Sequence, residues 1–355
     1  MILTPTLECG GSEKYVSLLC NNINVARFDV TLVVLNDAHP FYEIKNTIEV
    51  IDLGTKHARN SLFSIKKIIK QKEPDIVFSV ANHLNLMLAM FRRTLPRVKV
   101  IVARESSIVN INNRRARFPA VYNSLVKKYY RKLDHIICQS DFMRQDLISN
   151  FKFPVNRITV IHNPVEEVHS DASPKKNKFI TVARLSEEKG IDRLIRSVAK
   201  LSMSFQYHII GEGNKRKEQQ DLINALQLQD KVFLDGEKID PYHIMEDAGL
   251  MLSGSLYEGF PNALLEAGAR GIPVIAFDAP GGTGEIITNG VNGFLVKDND
   301  EKAFAAAIER ALSFNFDRNE IIASTKKRYS INAIIAETES LFIRLLQDRA
   351  LQINN

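Results

Sequence analysis

Two cations stand in one turn of the second half of the chain. Arg184 and Lys189 lie in the stretch 182–190, directly after an apolar run that predicts a strand. A guanidinium fork and an ammonium group on one turn suit a diphosphate, because they bind it and stabilise it as a leaving group. The alternative is a solvated turn, since Glu187 and Glu188 intervene between the two cations.

Two carboxylates follow further along the chain. Glu258 comes just before the sequence Gly-Phe-Pro-Asn, and Glu266 comes after it, inside an apolar run. Pro261 suits the first position of a helix, whose amino end would favour a phosphate. A carboxylate in apolar surroundings is costly unless it holds a partner such as a sugar hydroxyl. We therefore expect Glu258 and Glu266 to serve different parts of one long ligand; the alternative is an amphipathic helix with one buried salt bridge.

Glycine-rich turns occur at two places. Gly10 and Gly11 stand between a predicted strand and a predicted helix. There they would let the backbone approach a phosphate at the amino end of the helix, although a tight strand–helix turn is the plainer interpretation. The run matches neither the dinucleotide fingerprint nor the P-loop pattern. A second such turn, at 280–285, follows another apolar run.

The elements that must position these residues alternate between strand and helix in both halves. Predicted strands are 1–7, 30–35, 48–51, 75–80, 98–102, 135–138, 158–162, 179–183, 207–210, 232–234, 250–252, 274–276 and 294–296. Predicted helices are 14–22, 62–71, 121–133, 191–201, 215–226, 242–248, 261–269, 300–312 and 331–351. Such alternation predicts an α/β fold of doubly wound parallel sheets, with ligands bound beyond the carboxyl ends of the strands.

Length and charge suggest two domains with different partners. The chain has 355 residues and a net charge of +6. Residues 1–165 hold 24 Lys and Arg against 13 Asp and Glu, a net of +11, which leaves −5 for the rest. We predict domains at 1–165 and 166–330, joined by a linker at 163–178, with 331–355 as a final segment that no strand follows. The basic half favours an anionic surface or a phosphorylated ligand.

Composition narrows the class of protein. Hydrophobic residues make up 45% and charged residues 25% of the chain, which is typical of globular proteins. Three cysteines, far apart in sequence, predict a reduced protein without a disulfide framework. We find no apolar run of spanning length and no leader pattern, and expect a cytoplasmic enzyme.

Taken in order, these segments resemble glycosyltransferase family 4 over nearly the whole chain. The most specific feature is the pair of glutamates at 258 and 266 with Gly-Phe-Pro-Asn between them. The resemblance implies a GT-B fold, in which two Rossmann-like domains face each other across a cleft. It also implies a retaining glycosyltransferase that requires neither a metal nor a cofactor.

The resemblance assigns roles to individual residues. Arg184 and Lys189 would bind the donor diphosphate, Glu258 would contact the transferred sugar and Glu266 the ribose; the first three would be catalytic. The remaining implied donor contacts are Gly259, Phe260, Pro261 and Asn262, and, from the other domain, Gly10 and Gly11. Residues 331–351 would cross back onto the first domain.

One departure concerns the acceptor side. Many members of the family place a histidine after the fourth or fifth strand of the first domain, whereas this chain has Arg104 and Glu105 there. We expect these two residues to contact the acceptor. His83 is the nearest histidine that could serve instead, although a histidine in a loop is more often merely solvated.

The run Asp298-Asn-Asp300 looks like the D-x-D metal motif of other glycosyltransferases. It directly precedes Glu301 and a helical run, which is the place for an aspartate N-cap in a variant of the capping box. The eight histidines and three cysteines show no metal spacing. We therefore predict a cap and no required metal.

The acceptor must suit the basic first half. The stretch 121–133 interleaves aromatic and aliphatic residues with Lys127, Lys128, Arg131 and Lys132. One basic and one apolar face suit an anionic bilayer, although a core helix with a solvated basic face fits equally well. Members of the resembling family extend polyprenyl-pyrophosphate-linked saccharides, which combine a membrane with a diphosphate. We see no nucleic-acid module, so nucleic acid is not an expected partner.

The predicted reaction moves a sugar from a nucleotide diphosphate sugar to a hydroxyl of such a lipid-linked saccharide, forming an alpha linkage in surface polysaccharide or glycan synthesis. UDP is the favoured nucleotide, with N-acetylgalactosamine as the first sugar; N-acetylglucosamine, galactose and GDP-mannose follow. The expected location is the inner face of the plasma membrane. Alternatives are a sugar-nucleotide epimerase of the same fold, a non-catalytic sugar-nucleotide-binding protein and, less well supported, a nicotinamide oxidoreductase.

Overall fold

The computed structural model divides the chain into two compact units. Unit 1 is Met1–Pro164 with Ile331–Asn355, and unit 2 is Val165–Ser330. The structure describes residues 1–55, 58–95, 98–114, 116–168, 173–238 and 245–354. Among these residues, no helix combines the length and the apolar character needed to cross a bilayer.

Unit 1 is built on a seven-stranded parallel sheet. Its strands are β1 (Ile2–Thr4), β2 (Thr31–Val34), β3 (Glu49–Asp52), β4 (Ile76–Ser79), β5 (Val100–Arg104), β6 (His135–Cys138) and β7 (Ile158–Val160), in the order β3-β2-β1-β4-β5-β6-β7. Its helices are α1 (Gly11–Asn22), α2 (Ala58–Lys72), α3 (Asn82–Phe91), α4 (Val109–Arg114), α5 (Pro119–Tyr129) and α6 (Asp141–Phe151). The strand order reverses direction between β1 and β4, so the turns after these two strands flank the switch point.

Unit 2 repeats this plan on a six-stranded parallel sheet. Its strands are β8 (Lys175–Val182), β9 (Gln206–Ile210), β10 (Val232–Gly236), β11 (Ala248–Ser253), β12 (Val274–Phe277) and β13 (Gly293–Val296), in the order β10-β9-β8-β11-β12-β13. Its helices are α7 (Ile191–Val198), α8 (Arg216–Ala225), α9 (Asn262–Ala269), α10 (Thr283–Ile286), α11 (Glu301–Ser313) and α12 (Arg318–Tyr329). Here the order reverses between β8 and β11.

The long helix α13 (Ile331–Asn354) packs on unit 1. The ring of Phe342 lies 5.4 Å from that of Phe78 in the sheet, centroid to centroid. The hydroxyls of Thr338 and Tyr15 are hydrogen-bonded at 3.1 Å, which ties α13 to α1 inside the core. Burial of these side chains makes the end of the chain part of the first core.

Apolar strand runs explain the sheets, because a parallel sheet is covered on both faces. In β5 every residue from Val100 to Arg104 is buried, and in β12 all of Val274–Phe277 are buried. All thirteen predicted strands lie on strands of the model, with ends that differ by a few residues.

The helices α3, α4, α6 and α12 were not predicted. α4 has only six residues, too few to show an apolar period. α3 is apolar nearly all round and lies against the sheet, so it has no polar face to reveal its period. α6 and α12 are mostly polar and show little apolar periodicity. The predicted helix 121–133 is also too long, because α5 ends at Tyr129 and a 3₁₀ turn follows at Tyr130–Lys132.

The predicted linker was wrong in its last four residues. β8 begins at Lys175, four residues before the predicted strand, because this exposed, lysine-rich stretch extends the ladder with Lys175 opposite Ala248 of β11. Residues 169–172 of the linker and 242–244 of the predicted helix 242–248 lie outside the described residues. The end of that predicted helix was also wrong, since Ala248 opens β11.

Candidate active site

The switch point of unit 2 brings together the turns after β8 and β11. The first turn carries Arg184 and Lys189, and the second carries Ser255 and Glu258. The amide of Leu256 donates to the carbonyl of Glu188 at 2.8 Å, which joins the two turns directly. Parallel strands end at one edge of the sheet, and this is why residues 69 positions apart become neighbours.

Lys189 and Glu258 form the centre of this site. The Lys189 ammonium donates to Glu258 Oε1 at 2.6 Å, and the Ser255 hydroxyl donates to the same oxygen at 2.6 Å. Both charged side chains are partly shielded, with 25% and 14% of their surface exposed. The ammonium is thus held by a partly exposed carboxylate at the carboxyl edge of the sheet.

Arg184 does not join this cluster. Its side chain is exposed just beyond β8, and it has no hydrogen bond or ion pair within the described part of the chain. Its five N–H donors are therefore available to a planar, anionic ligand. The sequence prediction placed both cations on the same turn, and the structure separates an engaged lysine from an unengaged arginine there.

The turn after β12 holds the backbone around Glu258 in place. The amide of Glu258 donates to the carbonyl of Pro280 at 3.0 Å, and the amide of Gly282 donates to Gly259 at 3.1 Å. Gly281 has φ of +124°, and a Cβ there would lie 1.6 Å from the carbonyl oxygen of Glu258. Only glycine allows the two turns to approach so closely.

The start of α9 differs slightly from the prediction. Pro261 is the N-cap, and the helix begins at Asn262, because the backbone of Pro261 is extended with ψ of 110°. Phe260 and Pro261 are buried, whereas Gly259 and Asn262 are partly exposed beside Glu258. The donor roles of these four residues stay predictions.

Glu266 lies in the second turn of α9 and is partly exposed. Its neighbours Leu264, Leu265 and Ala267 are buried, as the sequence pattern indicated. Its predicted contact with a ribose also stays a prediction.

The two aspartates of the D-x-D run have separate structural tasks. Asp300 is the N-cap of α11, and its Oδ1 accepts from the amide of Ala303 at 2.9 Å. Asp298 Oδ1 accepts from Arg193 Nη1 at 2.6 Å. The model thus places Asp300 as the predicted cap, and the described residues include no group of three or more His, Cys, Asp and Glu that could hold a metal ion.

In unit 1, the turns after β1 and β4 flank the switch point. Gly10 is the N-cap of α1 and Gly11 its first residue, without a side-chain cap. A Cβ on Gly10 would lie 2.2 Å from Glu13 Oε2, so a side chain here would displace that carboxylate. His83 is exposed in the first turn of α3. The predicted roles of Gly10, Gly11 and His83 stay predictions.

Arg104 and Glu105 lie at the end of β5 and are fully buried. The Arg104 guanidinium stacks 3.7 Å from the Tyr15 ring centroid and donates to Asn163 Oδ1 at 2.6 Å. Its Nε and Nη1 have no hydrogen-bond partner among the described residues.

Glu105 accepts from neutral donors. Asn85 Nδ2 and the Tyr130 hydroxyl donate to Oε1, each at 2.8 Å, and Asn82 Nδ2 lies 3.4 Å from Oε2. Burial raises the pKa of Glu105 to about 6, although these hydrogen bonds oppose the shift. An acceptor could reach this pair only if the surroundings opened, so the acceptor role of Arg104 and Glu105 stays a prediction.

Sequence reasoning missed Ser255 and Arg193. Ser255 is three residues before Glu258, the same spacing at which a turn brings a hydroxyl to a carboxylate. Arg193 lies two residues after Ile191 and directly before Leu194 and Ile195. A cation therefore interrupts the buried, apolar side of a short helix. That interruption was the available signal.

The comparisons with known proteins agree with this geometry. A model described as Glycosyltransferase Family 4 matches residues 9–168, and one described as Glycosyl transferases group 1 matches residues 165–328. Together these two glycosyltransferase models match residues 9–328, and they identify the chain as a glycosyltransferase. The two matches meet at the boundary between unit 1 and unit 2.

Similar proteins include two bacterial glycosyltransferases. One is the N-acetylgalactosamine-N,N'-diacetylbacillosaminyl-diphospho-undecaprenol 4-alpha-N-acetylgalactosaminyltransferase of Campylobacter jejuni, 26% identical over 323 residues that cover 84% of this glycosyltransferase and 86% of that protein. Another is the amylovoran biosynthesis glycosyltransferase AmsD of Erwinia amylovora, 25% identical over 332 residues, covering 90% and 88%. HepE of Anabaena, solved in complex with UDP, superposes with a TM-score of 0.76 at 18% identity, covering 97% and 99%. This last likeness shows the GT-B fold.

Proposed function

We propose that this glycosyltransferase moves a sugar from a nucleotide diphosphate sugar to a hydroxyl of a polyprenyl-pyrophosphate-linked saccharide, with retention and thus an alpha linkage. The product would enter a surface polysaccharide or a related glycan. UDP is the favoured nucleotide and N-acetylgalactosamine the first sugar to test. The observation that carries the proposal is the cluster of Lys189, Ser255 and Glu258 at the switch point of unit 2, with Arg184 unengaged beside it.

The two cations suit the charge that the reaction develops. Breaking the bond between sugar and diphosphate leaves negative charge on the diphosphate, and donors aimed at that charge lower the barrier. Lys189 would move from Glu258 towards the phosphate oxygens, or would contact Glu258 and the phosphate together. The Arg184 guanidinium would donate two parallel hydrogen bonds to the diphosphate. Glu258, held by Ser255, would keep an oxygen for a sugar hydroxyl.

We further propose that the transfer requires no metal ion. Arg184 and Lys189 supply positive charge from the chain itself. The D-x-D run is already engaged, since Asp300 caps α11 and Asp298 pairs with Arg193.

The proposed acceptor rests on charge and on the named relatives. Residues 1–165 carry a net charge of +11, which suits a pyrophosphate at an anionic membrane. The Campylobacter jejuni relative is named for an undecaprenol diphosphate acceptor and the Erwinia amylovora relative for amylovoran synthesis. The matches to two glycosyltransferase models favour transfer over epimerisation.

A transfer assay tests this proposal. Purified protein would be incubated with a synthetic undecaprenyl-diphosphate-linked saccharide and, in turn, UDP-N-acetylgalactosamine, UDP-N-acetylglucosamine, UDP-galactose and GDP-mannose, all with chelator. We expect one UDP sugar to be transferred, and the anomeric coupling of the product in NMR to report an alpha linkage. A beta product would contradict retention, dependence on added metal would contradict the metal proposal, and epimerised donor without acceptor would identify an epimerase.

We also propose that α5 and the turn after it bind an anionic membrane surface. α5 has eleven residues, of which Val126 alone is buried among those described. Phe118 and Val121 at its start are 63% and 58% exposed. A cationic and an apolar surface both face solvent here, which supports a membrane-binding role over a helix with a solvated basic face alone.

The cations of this surface are unpaired, unlike others in unit 1. Arg92 pairs with Asp134 at 3.2 Å, and Lys99 pairs with Asp75 at 2.6 Å. The set Lys127, Lys128, Arg131 and Lys132 has no carboxylate partner within the described ranges, and Arg97 and Arg115 lie outside them. Unpaired cations keep their attraction for anionic lipid headgroups.

Liposome flotation with and without phosphatidylglycerol tests the membrane proposal. Changing Lys127, Lys128, Arg131 and Lys132 to Gln should abolish most binding to the anionic vesicles, since each cation contributes about 1 kcal/mol near such a surface. The matched control changes four exposed lysines of unit 2, Lys217, Lys238, Lys302 and Lys327, to Gln and should bind normally. Unchanged binding by the first variant, or equal loss in both, would contradict the assignment.

A further inference from the structure

Arg193 is a buried arginine in unit 2 that no proposed step uses. It lies in α7, and only 7% of its surface is exposed. A charged side chain is rarely buried unless its hydrogen bonds are satisfied. The partners of Arg193 therefore indicate what its burial achieves.

The guanidinium joins two turns and the end of a strand at the carboxyl edge of the sheet. Nε donates to the carbonyl of Gly254 at 2.6 Å, and Nη2 donates to the carbonyl of Ser255, both just after β11. Nη1 donates to Asp298 Oδ1 at 2.6 Å, after β13. The plane lies 4.0 Å from the ring of Phe277 at the end of β12. One side chain thus fixes the turn after β11 against the end of β12 and the turn after β13.

That turn carries the site. Ser255, whose carbonyl Arg193 holds, donates its hydroxyl to Glu258 Oε1. Gly190, three residues before Arg193, packs against the same peptide, since a Cβ on it would lie 2.0 Å from the carbonyl oxygen of Gly254. The position of Ser255 relative to Lys189 is therefore set from within α7.

We propose that Arg193 is a positioning residue for Ser255 and Glu258, and that it thereby controls recognition of the transferred sugar. This inference rests on the proposed function. The donors of Arg193 are occupied by Gly254, Ser255, Asp298 and Asn299, so we do not assign it a ligand contact of its own. The planar fork is needed for two adjacent carbonyls, and a lysine ammonium has no such geometry.

The prediction separates sugar from nucleotide recognition. In Arg193→Lys, the ammonium cannot hold both carbonyls, so Ser255 and Glu258 lose their fixed geometry. The cations proposed for the diphosphate, Arg184 and Lys189, stay in place. We expect affinity for UDP to change less than threefold, and kcat for transfer from UDP-N-acetylgalactosamine to fall at least tenfold. Ser255→Ala should give a loss in the same direction, and the double variant should lose little more than the larger single loss.

The matched control is Arg196→Lys on the same helix. Arg196 is exposed, and its Nε lies 3.9 Å from Glu301 Oε1, away from the groups that Arg193 contacts. This variant should keep wild-type kcat and wild-type affinity for UDP.

Hydrogen exchange in the free protein gives a readout that needs no donor. Amides 254–258 should exchange at least tenfold faster in Arg193→Lys, while those of β9 keep their wild-type rates. Wild-type exchange at 254–258 would overturn the inference whatever the donor is. Faster exchange with unchanged kcat would overturn the role in sugar recognition.

The proposed function fails separately, if the wild type neither binds UDP nor transfers any sugar; the exchange result then still decides whether Arg193 positions the turn. Should Arg193→Lys not fold, Asp298→Asn takes its place. This substitution weakens the contact between Arg193 and residue 298, so we expect the amides 254–258 to exchange about threefold faster. No change in their exchange would overturn the inference.

Discussion

The two units each bury an arginine against an aromatic ring near the carboxyl edge of a parallel sheet, but the two side chains are used differently. Arg193 donates hydrogen bonds to two backbone carbonyls and to Asp298. Arg104 donates to Asn163, and its Nε and Nη1 have no partner within the described part of the chain. The first arginine builds the loop that carries the site, whereas the second is a buried cation with unused donors.

The carboxylates nearby differ in the same way. Glu258 is partly exposed and bound to an ammonium and a hydroxyl. Glu105 is fully buried and bound to neutral donors. Glu258 of unit 2 is thus accessible at the edge of its sheet, whereas Glu105 of unit 1 is enclosed.

The largest expected difference is in stability. Arg193→Met leaves two carbonyls and Asp298 without their donor and should lower the free energy of unfolding by about 4 kcal/mol. Arg104→Met replaces a poorly paired buried charge with an apolar chain and should change it by less than about 1 kcal/mol. Urea unfolding of both variants makes the comparison, and equal losses would show that the two arginines are not used differently.

The next effect is on catalysis. Glu258→Gln removes the charge that holds Lys189 and should reduce kcat/KM on the order of 100-fold, or about 2.7 kcal/mol of barrier. The thermal midpoint should barely change, because the side chain is at the rim. Glu237→Gln, an exposed change in the same unit, is the control for the steady-state assay. A decrease below threefold in Glu258→Gln would remove Glu258 from the catalytic set.

Glu105 predicts a pH dependence of stability. Its pKa of about 6 in the folded protein exceeds the ordinary 4.5, so the folded state binds this proton more tightly. The free energy of unfolding should therefore fall by about 2 kcal/mol in total as pH rises from below about 4.5 to above about 6, and the loss should persist at higher pH. Glu105→Gln should lack this component, which urea titrations of both proteins across that window will show; parallel curves would contradict it.

The smallest effect concerns the D-x-D run. Asp300→Ala removes the cap of α11 and should lower the free energy of unfolding by about 1 kcal/mol. Transfer measured with chelator should be unaffected. A loss of transfer that added manganese restores would show instead that Asp300 binds a metal.

Alternation of apolar runs was enough to predict both sheets, because buried parallel strands are continuous apolar stretches. It was also enough to place Arg184, Lys189 and Glu258 in turns, since each follows a strand. The alternation of apolar runs could not predict which side chains these residues contact. Whether Lys189 faces Glu258 or solvent depends on how two turns 69 residues apart pack, and Gly281 allows that packing through the close approach of two backbones.

Burial was the harder property to predict. Arg104 and Glu105 are polar residues at a strand end and were taken as accessible. They are enclosed by Tyr15, Asn85 and Tyr130, which come from three other elements. Arg193 was overlooked for the converse reason: a cation on a helix is usually solvated, and its carbonyl partners carry no sequence signal.

The turn after β8 is proposed to bind a nucleoside diphosphate. Calorimetric titration of UDP, GDP and ADP, with chelator, tests it on the wild type, on Arg184→Ala/Lys189→Ala and on the control Arg196→Ala/Lys200→Ala. The control removes two exposed cations from the same unit, both near Glu301.

We predict that one nucleotide, UDP, binds the wild type and the control alike. The Arg184→Ala/Lys189→Ala variant should bind it on the order of 100-fold more weakly, because two charge-assisted hydrogen-bonding groups are lost. Equal binding by all three proteins, or no binding of any nucleotide to the wild type, would contradict the assignment of this turn as the donor site.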